Sequence, residues 1–222
     1  MAIVLQNPPL FYTIDTAIQV ISMLIALLIV GFSYKAYRFT KDKRYYYYSV
    51  AFVLIAASFF IRALSNLIIY FNGAAQAKDL LPVFNLGVFA FRILTLLAFT
   101  GIMLMTLKIS NRKVISLLII FSLIASVFSR DHYTEFYLLY IIILGFTTAQ
   151  LYMNYQQKKS RLALATFGIF GILTMAQLFF LLLVIDVFLK LNIGRLFYYA
   201  GQAFQIISYL ILFYVMIRIS RR

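Results

Sequence analysis

Seven apolar stretches, each close to the length a helix needs to cross a bilayer, run through this sequence near residues 13-34, 46-70, 86-107, 114-129, 133-155, 162-189 and 196-217. A hydrocarbon core about 30 Å thick takes roughly 20 helical residues. Lipid offers a backbone no hydrogen bonds, so a chain that crosses it has to satisfy its own peptide groups, which a helix does. The expected fold class is therefore an all-α integral membrane protein, a seven-transmembrane-helix bundle forming one domain over 1-222. The fourth stretch is at the short limit, and without it the count would be six.

Composition agrees with lipid as the solvent. The chain is 64% hydrophobic with mean hydropathy +0.96, against about half apolar residues in an ordinary soluble domain. Its net charge of +14 would suggest nucleic acid in a soluble protein, but the positions of the charges assign them to a membrane face. Lys and Arg collect in cytoplasmic loops. Lys35, Arg38, Lys41, Lys43 and Arg44 follow the first stretch, Lys108, Arg112 and Lys113 the third, Lys158, Lys159 and Arg161 the fifth, and Arg218, Arg221 and Arg222 the last. The alternate loops hold Lys78, Arg130, Lys190 and Arg195, with Asp79, Asp131 and Glu135 nearby. Seven crossings put the first group on one side. The expected topology has the N-terminus outside and the C-terminus cytoplasmic. No basic residue precedes the first stretch and no small-residue cleavage site follows it, so that helix is expected to be retained rather than removed as a signal peptide.

The longest connection, roughly 71-85, holds Gly73 and Pro82 and has room for a short interfacial helix. The segment Lys41-Asp42-Lys43-Arg44-Tyr45-Tyr46-Tyr47-Tyr48 combines cations with aromatic rings at the base of the second span. Tyrosines sit at headgroup level and cations attract anionic lipid, so Lys41, Lys43, Arg44, Tyr45 and Tyr48 are the expected lipid-headgroup contacts on the cytoplasmic face. Nucleic acid is not an expected partner. The remaining expected partners are other membrane proteins or further copies of the chain.

Partial internal matches relate the first three spans to the last three. Asn85-Leu-Gly and Asn192-Ile-Gly open the third and seventh spans, and basic-Ile-Ser runs at Lys108 and Arg218 close them. Tyr34 and Tyr37 are echoed by Tyr152 and Tyr155, each pair before a basic loop. With the fourth span between, the halves would run parallel in a 3+1+3 plan. That plan is similar to the one in sugar-exporting SWEET proteins and microbial rhodopsins, a resemblance of topology that lends no functional residues. Rhodopsins carry retinal on a lysine in the last helix. Here the nearest lysine to that span is Lys190, in the preceding loop.

Ionisable and amide side chains inside a span are functional candidates, because a charge there costs roughly 2.5–3.5 kcal/mol on insertion scales. Arg62 and Arg92 fall in the outer half of the second and third spans, and Asp15 and Asp186 in the outer half of the first and sixth. Ser58, Arg62 and Asn66 share one helical face, as do Tyr198, Gln202, Gln205 and Tyr209, and Gln177 lies nearer mid-membrane. The candidate intramembrane site is thus Arg62, Arg92, Asp15, Asp186, Asn66, Gln177, Gln202 and Gln205. If Arg62 or Arg92 pairs with Asp15 or Asp186, the cluster locks the bundle. If the cluster opens outward, its arginines attract an anionic solute.

No cysteine and a single histidine, His132, leave no clustered ligands for a metal or haem. No cofactor is expected. No nucleophile, base and orienting group can be assembled, so an enzyme is not expected either. The reading is a non-enzymatic membrane protein that handles or senses a small solute, as transporter, channel or receptor. The alternative is a structural or accessory subunit of a larger membrane complex. Abundant Ile, Phe, Tyr and Lys suggest a prokaryotic plasma membrane.

Overall fold

The computed structural model describes residues 9–109, 111–128, 133–189 and 193–220, without the side chains of 9–12, 72–81, 187, 188 and 220. Lys78, Asp79, Arg130, Asp131, His132, Lys190, Arg221 and Arg222 lie outside what is described. Among the described residues the regular structure is all α-helix: α1 (Pro9–Thr40), α2 (Lys43–Thr106), α3 (Arg112–Phe128), α4 (Tyr133–Lys158), α5 (Arg161–Leu189) and α6 (Gly194–Ser220). Within them, six segments are long and apolar enough to cross a membrane, namely Thr13–Thr40, Lys43–Phe71, Pro82–Thr106, Tyr133–Lys158, Arg161–Asp186 and Gly194–Ile219. The molecule is a multi-pass membrane protein.

The second and third apolar stretches belong to one run of helical backbone, α2, with Pro82 inside it. That run is not straight. Phe59 and Phe91 would be about 48 Å apart along one helix, yet their ring centroids are 6.0 Å apart. The 71–85 segment, expected as a connection, is helical while the chain reverses there. Pro82 opens the returning arm, where a missing N–H is tolerated. Gly87 makes the close return feasible: a Cβ there would lie 1.8 Å from the Ser65 Oγ and 2.9 Å from its Cβ.

Helix neighbours form a closed ring: α1 packs on α2 and α6, α2 on α4, α4 on α5, and α5 on α6. Lipid gives helices no hydrophobic reason to associate, so close packing and interhelical hydrogen bonds hold such a ring. Small residues Ala26 and Ala36 on α1, with Ala51, Ala56 and Ala63 on the first arm of α2, are buried. Tyr209 of α6 is wedged between Phe52 and Phe59, at 6.1 and 5.9 Å. Phe180 of α5 stacks on Tyr137 at 5.8 Å and lies where a Cβ on Gly201 would come within 2.9 Å of its ring.

Helix α3 stands outside the ring against α2. It buries Ser122 and Ser126, and the Ser122 and Thr100 hydroxyls share a 2.9 Å hydrogen bond. The returning arm of α2 and α4 run in the same direction, since Arg92 meets Tyr133 and Phe99 meets Tyr140. The chain must therefore travel back along the bundle between them, and α3 occupies that stretch. At 17 residues it is about 25 Å long.

Two turns are built alike. Lys41 (φ 55°) and Lys159 (φ 45°) end α1 and α4 in the left-handed region. The Lys41 N–H donates to Tyr37 O at 2.8 Å, and the Lys159 N–H to Tyr155 O at 2.7 Å, the single backward bond of an αL cap. Asp42 then accepts from the Arg44 N–H at 2.9 Å and Ser160 from the Ala163 N–H at 3.2 Å. The next helices start at Lys43 and Arg161. Lys41, Lys43 and Arg44 are exposed and Tyr45 is half-buried, while Tyr48 packs against the core.

Gly87→Ala is expected to lower the stability of the detergent-solubilised protein by about 1–3 kcal/mol through overpacking against Ser65. Ser65→Gly in the same chain should restore most of the loss, as read by the melting temperature.

Candidate functional site

One carboxylate organises the end of the bundle where α1, α4 and α6 begin. Asp15, 2% exposed, faces inward one turn before Gln19, whose Nε2 donates to Oδ1 at 3.1 Å. From the first arm of α2, the Asn66 Nδ2 donates to Oδ2 at 2.7 Å. From α6, the Tyr198 hydroxyl donates to Oδ1, and the Gln202 Nε2 donates in turn to the Tyr198 oxygen at 3.1 Å. Arg62, one turn before Asn66, places its guanidinium 3.8 Å from Oδ2.

This set satisfies the carboxylate with neutral donors from three elements and leaves the cation at arm's length. A close guanidinium–carboxylate pair has N···O distances of about 2.7–2.9 Å. At 3.8 Å, with 23% of its side chain exposed, Arg62 is held loosely, and its charge also lies 5.2 Å over the Phe84 ring.

A second cation sits beside the first. Arg92, on the returning arm of α2, is buried and lies 3.8 Å from the Tyr133 ring centroid and 5.2 Å from that of Phe136, both on α4. Such cation–π contacts are strengthened by desolvation. Arg62 and Arg92 are within electrostatic reach of each other, and Tyr133 and Tyr137 are within reach of both.

Of the eight candidates, Asp15, Arg62 and Asn66 meet directly, Gln202 joins through Tyr198, and Arg92 lies alongside. Asp186 does other work. It accepts a hydrogen bond from the Ile193 N–H at 3.3 Å, across the turn into α6, and a Cβ on Gly194 would lie 2.7 Å from its Oδ2. Its negative charge beside the α6 N-terminus is favourable to the helix dipole. Gln177 and Gln205 are buried and take no part in the Asp15 hydrogen bonds. Gln19 is a member missed from the sequence alone, although its place four residues after Asp15 on the same face was a usable signal. Tyr133, Phe84 and Phe136 carried no signal, since an aromatic residue at a span's end reads as an interfacial anchor.

Three amide oxygens in this cluster, Gln19 Oε1, Asn66 Oδ1 and Gln202 Oε1, are buried without a hydrogen-bond partner among the described residues, as is the Ser22 Oγ one turn deeper. Among the described residues no group of three or more His, Asp or Glu is gathered as for a metal ion.

No family model matches the chain, and no curated protein or solved structure matches it.

Tyr198→Phe removes a hydrogen bond to a carboxylate and is expected to cost about 1.5–3 kcal/mol. Combined with Asp15→Asn, the two losses should fall short of adding by more than about 0.5 kcal/mol. Urea or thermal unfolding of the single and double variants in one detergent gives the coupling.

Proposed function

We propose that this protein crosses a plasma membrane seven times, with its N-terminus outside, and that it admits a small anionic solute at the end of the bundle holding Asp15 and Arg62. It acts there as a carrier, channel or ligand-sensing receptor rather than as an enzyme. The observation that carries the reading is the uneven hold on the two charges. Asp15 has three neutral donors, so Arg62 can leave it without stranding a buried carboxylate. The freed guanidinium, with Arg92 in reach, then presents planar donors suited to a carboxylate or phosphate.

The seventh crossing is supported by the parallel course of the returning arm and α4, which leaves α3 to run the other way. The basic ends of α1, α4 and α6 lie at the opposite end from Asp15, which agrees with a cytoplasmic face there. Anionic lipids are the partners proposed for Lys41, Lys43 and Arg44. The parallel 3+1+3 repeat is supported by the two matching αL turns, whose Lys41 and Lys159, Asp42 and Ser160, and Lys43 and Arg161 are each 118 residues apart. Gly87 and Gly194, in the matching Asn-x-Gly motifs, both sit where the preceding helix comes too close for a side chain.

The broad exposed surface of α3, including Leu117, Ile120, Phe121, Ile124 and Phe128, favours a second reading, an accessory subunit whose partner covers that face. Affinity purification in mild detergent separates the two. A partner recovered in fixed proportion, and lost on polar substitution along α3, supports the subunit.

The topology test exploits a chain without cysteine. Single cysteines at positions 43, 112 and 161 should react with an impermeant maleimide only after permeabilisation, and one at position 196 should react in intact cells. Labelling of 112 and 161 from opposite sides would remove the seventh crossing. For function, Arg62→Gln should reduce anion binding or uptake in proteoliposomes at least about tenfold, which corresponds to about 1.4 kcal/mol, with the fold retained.

A further inference from the structure

The buried amide oxygens narrow the ligand. A carboxylate can only accept hydrogen bonds, so the Gln19 and Asn66 atoms that meet Asp15 at 3.1 and 2.7 Å are their nitrogens. Their oxygens are thereby the atoms left over. The nitrogen and oxygen of an amide are about 2.3 Å apart, which places both oxygens within about 5.5 Å of the carboxylate. Gln202 is oriented by the same logic. The Tyr198 hydroxyl gives its proton to Asp15, so its oxygen receives the Gln202 nitrogen and the Gln202 oxygen is left over as well.

The hub therefore combines one carboxylate with three buried carbonyl oxygens lacking a partner among the described residues. Each such oxygen is unfavourable if it stays unsatisfied. An anion answers none of them. A primary ammonium can answer two, because it brings a positive charge and three donors to the place Arg62 occupies at 3.8 Å, one for the carboxylate and two for amide oxygens.

We infer that the ligand is a small zwitterion, a primary ammonium next to an anionic group, as in an α-amino acid, which binds by exchanging with the Asp15–Arg62 ion pair. Its ammonium replaces Arg62 at the Asp15 Oδ2 and donates to the neighbouring amide oxygens. Its anionic group takes the guanidinium of Arg62. One internal ion pair becomes two, no net charge enters the bundle, and the Tyr133 and Phe84 rings stand beside the arginines to meet the rest of the molecule. The inference rests on the anion-accepting role proposed for Arg62 and adds the cationic half. The same pair of charges is carried by free amino acids and by the phosphatidylethanolamine headgroup.

The test uses the full chain in nanodiscs of phosphatidylcholine and phosphatidylglycerol, with thermal unfolding as the readout. The proteinogenic α-amino acids are added singly at millimolar concentration. For any that stabilises, three analogues follow: the acid without its amine, the amine without its carboxylate, and the N-trimethyl form, which keeps both charges but has no N–H donors. A parallel arm replaces phosphatidylcholine with phosphatidylethanolamine.

The expected result is an upward shift of at least about 2 °C with an amino acid or with phosphatidylethanolamine, the arm that responds naming the source. All three analogues should give a clearly smaller shift. Arg62→Gln and Gln19→Met, which removes the acceptor together with the amide donor to Asp15, should each weaken binding at least about tenfold. A shift as large with the deaminated acid overturns the zwitterion and leaves the anion reading standing. An equal shift with the N-trimethyl form overturns the role of the amide oxygens. No shift in any arm, with Arg62→Gln also without effect on anion binding, sinks both readings.

Discussion

A carboxylate buried inside a helix bundle has no water to turn to, and the position of Asp15 makes that constraint structural. Burying it requires donors from elsewhere in the chain, and they come from α1 itself, the first arm of α2 and α6. Elements far apart in sequence are thereby held at one level. Tyr198 lies 183 positions from Asp15, and the contact joins the two ends of the ring. A hydrogen bond to an ionised group is worth about 1.5–3 kcal/mol, more than most contacts between apolar helices that lipid solvates equally well on either side. The register of α1 against α6 follows from this one acid, with Phe32 and Phe213 meeting at 5.5 Å toward the far end.

The helices were legible in the sequence because lipid leaves the backbone little choice. The spans near 133-155, 162-189 and 196-217 correspond to α4, α5 and α6, with ends differing by a few residues. Two points were hidden. Residues 71–85 read as a connection with room for a short interfacial helix, because Gly73 and Pro82 interrupt the apolar pattern, whereas the helical backbone runs unbroken from one span into the next. The short fourth stretch forms α3 but stays outside the ring, which hydropathy cannot show, since a peripheral helix and a central one are equally apolar.

The site was legible in depth but not in rotation. Spacing from a span's end says how deep Arg62, Arg92, Asp15 and Asp186 lie, and all four were placed in one layer. It does not say which way each faces once five neighbours compete for contact. Asp15 turns into the ring, whereas Asp186 turns toward the start of α6, where it accepts from the Ile193 N–H. Gln177 and Gln205 are buried as their depth implied, but lie away from the Asp15 hydrogen bonds.

With α3 as the seventh crossing proposed above, its shortness bears on the bilayer itself. At about 25 Å it falls some 5 Å short of a typical hydrocarbon core, while its ring neighbours of 25 to 29 residues exceed that thickness. Hydrophobic mismatch of this kind is relieved by pinching the membrane locally or by drawing in lipids with shorter chains, at fractions of a kcal/mol per Å. The protein thus carries a thin side and a thick side. A thinner bilayer suits the face of α3, and a thicker one suits the far side of the ring, so the lipid annulus around this molecule is expected to be uneven in composition.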